Sequence, residues 1–332
     1  LRIVNWIKWY LTGNQPSNAM HHSLAVQVRW LRQHLEYHIL GNHLIANAKA
    51  LCFAGCYFAG PEGESWWHKG CALLERELLE QILLDGGHFE RSPMYHLLVL
   101  EDLLDLANLH QAYGKTFPQG WCETIRSMLA WSQAMRHPDG DIPFFNDAAF
   151  GIAATPKEID RYAERLSFCG ADTFLEHRAV VDLESSGYIR IANRRAVALL
   201  DAAPIGPDHL PAHAHADTLS FELSIDGKRV IVNGGTSVYG ETEKREGQRG
   251  TSAHSTLVMD GEDSSEVWAG FRVARRARVV RRGSADTESY VDAFGAHDGY
   301  RHLPGKPLHY RHWRLSERML TIEDHLEGDG EH

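Results

Sequence analysis

Two periodicities divide the chain. Through the first half, apolar residues recur every three or four positions near 21–38, 43–59, 66–85, 93–112 and 120–136, with few β-branched residues among them. That spacing predicts amphipathic helices. Leu97, Leu98, Leu100, Leu103, Leu104 and Leu106 supply the buried face of one of them. The connections are short and carry Gly or Pro, as antiparallel helix pairs require. From about 137 to 157 the pattern breaks at Pro138, Gly140, Pro143, Gly151 and Pro156, which predicts an irregular connection. Beyond it the period falls to two. Leu219, Phe221, Leu223 and Ile225 alternate with Ser220, Glu222 and Ser224 as a half-buried strand. Asp226-Gly227 predicts a hairpin turn, with Arg229-Val230-Ile231-Val232 as the returning strand. Further strands are expected at 188–201, 255–260, 271–282, 288–294 and 309–324. Helices followed by antiparallel strands make an α+β chain of two domains, 1–165 and 166–332.

The 332 residues suit two domains of roughly 150 each. With 43% hydrophobic and 23% charged residues, the composition excludes a disordered or fibrous chain. No run approaches the roughly 20 apolar residues of a spanning helix, so no membrane insertion is expected. A net charge of −10 argues against a nucleic-acid binder and against avid capture of a heavily sulfated polymer. Five cysteines exclude a disulfide scaffold and leave the compartment open. Cys52 and Cys56, one helical turn apart, read as core packing. Because there are 21 histidines, only spacing and context can single one out. The chain opens at Leu1 and stops at Glu331-His332 while a strand-like pattern is still running, so it reads as a portion of a longer protein with its β domain truncated.

Four constellations carry candidate chemistry. Gly41-Asn42-His43 opens a helix with Asn42 as N-cap, and His43 and Asn47 share a face. In GGHFERSPMYH (86–96), Ser92 is the expected N-cap and Pro93 the first helical residue. Tyr95 then lies in the first turn, where the helix dipole modestly favours a phenolate. Glu90 and Arg91 precede it and could pair with each other. In His213-Ala214-His215-Ala216-Asp217, residues two apart on extended chain point the same way, so two imidazoles and a carboxylate can share a cleft. His254 and Asn233, each beside a strand, could join His215. Lastly, Arg272, Arg276, Arg278 and Arg282 would share one face of a strand, as a solvated edge or a contact for a polyanion.

Taken together, the motifs resemble the heparinase II/III-type polysaccharide lyases. The matching pieces are NHLIANAKAL (42–51), DGGHFERSPMYH (85–96), HAHADTLSFEL (213–223), VNGGTSVYG (232–240) and RGTSAHSTLVMDG (249–261). The resemblance implies an N-terminal (α/α) toroid, which the start of the chain could leave incomplete, and a C-terminal antiparallel β-sandwich. It implies that Asn42 and His43 meet the substrate carboxylate, that Tyr95 is the acid/base, and that His213 faces it across the cleft. Glu90, Arg91, His96 and Arg249 are the implied substrate contacts. His215 and His254 resemble metal ligands. The third ligand in metal-binding relatives is usually an aspartate, where this chain has Asn233, so one structural divalent ion (zinc or calcium) is expected at a weakened site.

The implied reaction is cleavage of a uronic-acid polymer by removal of the C5 proton and expulsion of the C4 oxygen. Three other readings compete. A binuclear metal hydrolase would need a histidine at Thr218, and a toroid glycoside hydrolase would need two carboxylates, for which Glu90 and the Asp139/Asp141 loop offer themselves. A non-catalytic glycan binder would account for Trp66, Trp67 and Trp268. The acidic charge predicts a carboxylated, sparsely sulfated bacterial exopolysaccharide or alginate-like chain as partner, and such polymers predict a periplasmic or secreted protein.

Overall fold

The computed structural model describes residues 1–168, 178–240 and 242–330. Helices α1 (Arg2–Leu11), α2 (Asn18–Gln33), α3 (Asn42–Tyr57), α4 (Pro61–Gln81), α5 (Pro93–Ala112) and α6 (Gln119–Ala134) come first. The helix α3 is sunk in the middle, with Leu44, Ile45, Ala48, Leu51 and Cys52 shielded from solvent and Cys56 at the margin. It packs on α5, whose leucine face is buried except for Leu98, which is half-buried. The sequence pattern did not predict α1, nor the short α7 (Pro156–Arg165). Pro156 starts that helix instead of prolonging the break. Thr155 accepts the Glu158 amide hydrogen while the Glu158 carboxylate accepts that of Thr155, and the proline occupies a position with no hydrogen bond to donate.

The second part is built from antiparallel sheets. Strands β1 (Val180–Leu183), β2 (Tyr188–Ala192), β3 (Ala196–Asp201), β4 (Phe221–Ile225) and β5 (Lys228–Ile231) pair in chain order. Next come α8 (Glu243–Arg249) and a two-stranded hairpin of β6 (Val267–Trp268) and β7 (Arg272–Val273). Strands β8 (Val279–Asp286), β9 (Tyr290–His297), β10 (Leu308–Ser316) and β11 (Leu320–Glu327) form a four-stranded sheet in the order β11-β10-β9-β8. The two larger sheets share a buried cluster. Ile189, Ile191, Leu200 and Phe221 come from one, and Val291, Ala293, Trp313 and Leu315 from the other.

Several sequence expectations need correction here. The stretches 188–201 and 309–324 each fold into two strands around a turn. Residues 255–260 form no strand; Met259 bridges only to Glu262. The stretch 271–282 breaks into β7 and the start of β8, so its arginines share no face. Arg276 donates to Asp208 at 3.0 Å and Arg282 pairs with Asp182. The Asp226-Gly227 turn is as predicted, with φ of 49° and 78°. The residues Glu331-His332, onto which the strand pattern ran, lie outside the described residues. Among the described residues no helix is long and apolar enough to cross a membrane.

The two parts meet through a dry seam and a polar clamp. Trp131, Met135 and Phe145 pack with Leu183, Tyr188, Val197 and Leu199. The turn between β1 and β2 is held from the helical side. Ser186 N–H donates to Asp85 Oδ2 at 2.6 Å, Arg91 Nε donates to Ser186 O at 3.0 Å, and Trp131 Nε1 donates to Ser186 Oγ at 2.9 Å. Gly87 makes this approach possible, while Gly86 lets the same loop lie against α6. A Cβ on Gly86 would lie 2.2 Å from Ser127 O, and one on Gly87 would lie 2.9 Å from Ser186 Cβ.

Candidate active site

The N-terminus of α5 carries the first wall. Ser92 Oγ accepts the Tyr95 amide hydrogen at 3.2 Å and donates to Asp147 O at 2.5 Å, while Pro93 takes the first helical position. The cap thus fixes Tyr95 against the loop that follows α6. That loop, read from sequence as an irregular connection, contains Asn146-Asp147 and clamps the HAHAD run from both ends. Asn146 Oδ1 accepts from His215 N–H at 2.9 Å, Asp217 Oδ2 accepts from Asn146 N–H at 3.1 Å, and Asp147 N–H donates to His213 O at 3.0 Å. Asn146 holds φ 56°, a conformation that its short polar side chain tolerates.

Asp147 is wholly buried and is the hub of the site. His213 Nδ1 donates to its Oδ2 at 2.8 Å, and His215 Nε2 and Thr236 Oγ1 donate to its Oδ1 at 2.8 and 2.5 Å. Arg245, also fully buried, grips both oxygens. Burial would raise this carboxyl, but the hydrogen bonds from His213, His215 and Arg245 outweigh it and hold it well below the usual carboxylate range. With Nδ1 committed to a fixed anion, His213 keeps Nε2 as its lone-pair nitrogen.

The His213 ring stacks on Tyr95 with centroids 4.0 Å apart, so the two form one wall and do not face each other across open space. Tyr95 Oη lies 3.1 Å from Tyr239 Oη. Burial first, then the Tyr239 hydroxyl and the negative charges of Asp147 and Glu90, push the Tyr95 phenol far above its ordinary range. The helix dipole does not win here: Tyr95 is a protonated phenol at rest. Sequence reasoning missed Asp147, Thr236, Tyr239 and Arg245. Thr236 and Tyr239 lay inside a quoted motif, whereas nothing in the spacing marked Asp147.

The remaining candidates divide. Gly41, at φ 58°, is the N-cap of α3, and Asn42 is its first helical residue. Asn42 and His43 line a cavity of about 520 Å³ with Lys49, Leu98 and Asp102, in whose wall neither Tyr95 nor His213 takes part. Asn47 turns inward and holds Glu36, whose Oε2 also lies 3.5 Å from His43 Nδ1, so the two residues meet through that carboxylate. Glu90 is the link between the two places, since a Cβ on Gly41 would sit 3.0 Å from Glu90 Oε1. It does not pair with Arg91, which donates to Ser186 O and Phe89 O. Glu90 Oε2 and His88 Nδ1 are buried, without hydrogen-bond partners, and 3.8 Å apart. Burial pushes the Glu90 carboxyl up to about 7.

His96 and Arg249 are corrected as direct substrate contacts. His96 is buried against Trp131 and bonded to Met128 O at 3.0 Å, and burial pulls its imidazole down to about 3. Arg249 is fully buried and spends its guanidinium on the carbonyls of Ala214, Trp268 and Arg272. Asp139, one of the carboxylates considered for a hydrolase, is taken up by Arg229 at 2.7 Å. Trp66 is core, whereas Trp268 is 45% exposed.

His215, Asn233 and His254 do converge. The two rings lie 5.4 Å apart, and His254 Nδ1 donates to Asn233 Oδ1 at 3.0 Å. His215 Nδ1 and His254 Nε2 are left as buried nitrogens without partners, as is Asn233 Nδ2. Two imidazole lone pairs, one on a ring whose other nitrogen donates to a carboxylate, suit zinc and do not suit calcium, which takes oxygen ligands. The third donor is a neutral amide already engaged by His254. Among the described residues no three His, Cys, Asp or Glu side chains are grouped to hold a metal.

The site can be set beside known proteins. The family model for the heparinase II/III N-terminus matches residues 18–168, and that for the heparinase II/III-like C-terminal region matches 176–332. A heparin-sulfate lyase of Bacteroides stercoris is 27% identical over 247 residues, covering 68% of this chain and 37% of that protein. The FtsZ-localized protein C of Caulobacter vibrioides is 27% identical over 294 residues, covering 86% and 48%. A crystal structure of heparinase III superimposes with a TM-score of 0.81 at 18% identity, covering 99% of this chain and 54% of that one, a likeness of fold. The chain spans half or less of the length of these curated relatives.

Proposed function

The chain belongs to the heparinase II/III-like family, and from that premise we propose that it is a polysaccharide lyase acting on a uronic-acid polymer by β-elimination. The observation that carries this reading is the stacked Tyr95–His213 wall with Asp147 behind the imidazole. His213 Nε2 takes the C5 proton of the uronate, the C5–H pair becomes the C4–C5 double bond, and the C4–O bond breaks. Tyr95, protonated at rest, gives its proton to the departing oxygen. Each positioned group of this kind contributes about 10²- to 10⁴-fold. Asn42 and His43 hydrogen-bond the uronate carboxylate, stabilising the charge that builds there as the proton leaves. Gly41, the residue before them, lies against Glu90, whose charge is felt by Tyr95, and this supports that role.

On this reading the helices form part of an (α/α) toroid and the two larger sheets a β-sandwich, with the cleft between them. His215 and His254, with Asn233 as a weak third donor, would hold one structural divalent ion, zinc by donor chemistry, and such an ion would tie the loop before β4 to the loops after β5 and α8. One of the relatives named above is a heparin-sulfate lyase. For this chain, the charge of −10 supports a carboxylated, sparsely sulfated polymer, and a periplasmic or secreted location where such polymers occur.

The test is incubation with a panel of uronide polymers, from unsulfated to highly sulfated, while following the absorbance of the conjugated unsaturated uronide. Chromophore with the sparsely sulfated members is the expected result. Cleavage without chromophore would identify a hydrolase, binding alone a non-catalytic glycan binder, and strong preference for highly sulfated heparin would refute the substrate assignment.

A further inference from the structure

Beside Tyr95 the surface carries an aromatic ledge that the elimination does not use. Tyr239, whose hydroxyl touches that of Tyr95, stacks on Phe271 with ring planes 10° apart, and Trp268 follows on the same β6–β7 hairpin. These rings are 49%, 41% and 45% exposed, although a folded chain gains by burying aromatic surface. Arg272 lies 5.1 Å over the Trp268 ring, cross-strand from it, and is itself exposed.

The ledge is not a loose flap. Arg245, which grips Asp147, also donates from Nε to Gly270 O at the hairpin tip, and its guanidinium lies 5.3 Å from the Tyr239 ring and 5.6 Å from that of Phe271. Arg249 ties down the carbonyls on both sides of the same turn, at Trp268 and Arg272. Two buried arginines of one short helix thus fix an exposed hairpin in register with the catalytic wall. At the tip, Ala269 and Gly270 both take left-handed backbone, at φ 42° and 57°. For alanine that conformation costs about 1 kcal/mol or more, a strain that the surrounding bonds must hold.

We propose that Tyr239, Phe271 and Trp268 form a subsite for the sugars next to the bond being cut, with Arg272 meeting an anionic group, a uronate carboxylate, further along the chain. Sugar rings present flat apolar C–H faces that stack on aromatic rings, while their hydroxyls stay in water; an exposed but rigid aromatic ledge suits them better than it suits a protein partner. Arg272 adds a positive charge to meet the carboxylate that a uronide carries and a neutral glycan lacks. This inference rests on the reading of the chain as a uronide-acting protein, and it predicts chain-length dependence that the Tyr95–His213 wall alone does not.

The experiment uses Tyr95→Phe as an inactive background and measures binding of unsulfated glucuronate-containing oligosaccharides, from a disaccharide to a decasaccharide, by calorimetry. Adding Trp268→Ala or Phe271→Ala should weaken decasaccharide binding about tenfold, the loss growing with chain length. Adding Arg272→Ala should cost a similar factor at low salt and less as salt is raised. Unchanged decasaccharide affinity in these variants, with unchanged melting temperature, would overturn the subsite. If the wild type makes the unsaturated chromophore while the ledge variants bind normally, the subsite alone falls. If long-chain binding depends on Trp268 but no chromophore forms, the elimination reading alone falls. Absence of binding to any uronide overturns both.

Discussion

At Asp147 a carboxylate takes hydrogen bonds from two histidines and from a two-pronged arginine; at Asp324, in β11, another takes them from His309 and a two-pronged Arg311. The residue types are the same, but the outcomes differ. Around Asp324 every ring nitrogen is consumed. His309 Nε2 donates to Asp324 at 2.6 Å, its Nδ1 accepts from His297 Nε2 at 3.0 Å, and His297 Nδ1 accepts from the Gly299 amide. That chain of bonds ends on a backbone amide and braces β9, β10 and β11. Around Asp147 the network is left open: His215 Nδ1 is buried without a partner, and His213, 15% exposed, is stacked on a protonated phenol. Buried His–carboxylate pairs are reactive only where a nitrogen is left over.

The largest expected effect separates the two clusters outright. Tyr95→Phe removes one oxygen while keeping the ring against His213, and turnover should fall by roughly 10²-fold or more with little change in melting temperature. Normal turnover in the folded variant would end the proposed role. Next come Asp147→Asn and Asp324→Asn as a matched pair. The first should lower turnover by about 10²-fold, because an amide no longer dictates which His213 nitrogen carries the proton. The second should leave turnover near normal and lower stability by about 2 kcal/mol, the worth of a hydrogen bond to a charged group. Equal turnover losses in both would erase the distinction.

A smaller effect concerns Glu90, the carboxyl without a partner beside His88. Its folded value of about 7 lies above the ordinary 4.5, so the folded state holds the extra proton between them. Stability from this group is complete below about pH 4.5 and is lost as the pH rises through about 7. Melting temperature followed from pH 5 to 8 should therefore decline by a few degrees more in the wild type than in Glu90→Gln; superimposable profiles would contradict the assignment. Smallest is the metal. Purified protein should carry substoichiometric zinc, and Asn233→Asp, which restores a charged ligand, should raise the occupancy measured by elemental analysis. A full equivalent that survives chelation in the unaltered protein would refute the weakened site.

Much of this was legible because it is local. Helix periodicity, the Ser92-Pro93 start of α5 and the Asp226-Gly227 turn depend on neighbours in the chain, and the structure has them. What escaped depends on distant partners. Asp147 lies in a loop without period, and its meaning comes from His213, His215 and Arg245, all more than 60 residues away. From sequence Pro156 reads as a breaker, because its own conformation says nothing of the Thr155–Glu158 cap around it. His96 sat in a motif with functional neighbours, yet its ring faces α6 and the core. The arginines of 271–282 lose their common face because β7 ends after two residues.

The clamp between Gly87 and the Ser186 turn bears on how a ligand arrives. Tyr95 comes from the helical part and His213 from the sheet part, and the two parts touch where even a methyl group would collide. Opening them like a hinge would break the Asp85, Arg91 and Trp131 bonds together and expose the seam around Tyr188. The site is therefore preorganised. Association should be a single concentration-dependent step without a slow isomerisation, and selectivity among polymers should appear in dissociation rates, since the encounter itself requires no rearrangement of the scaffold.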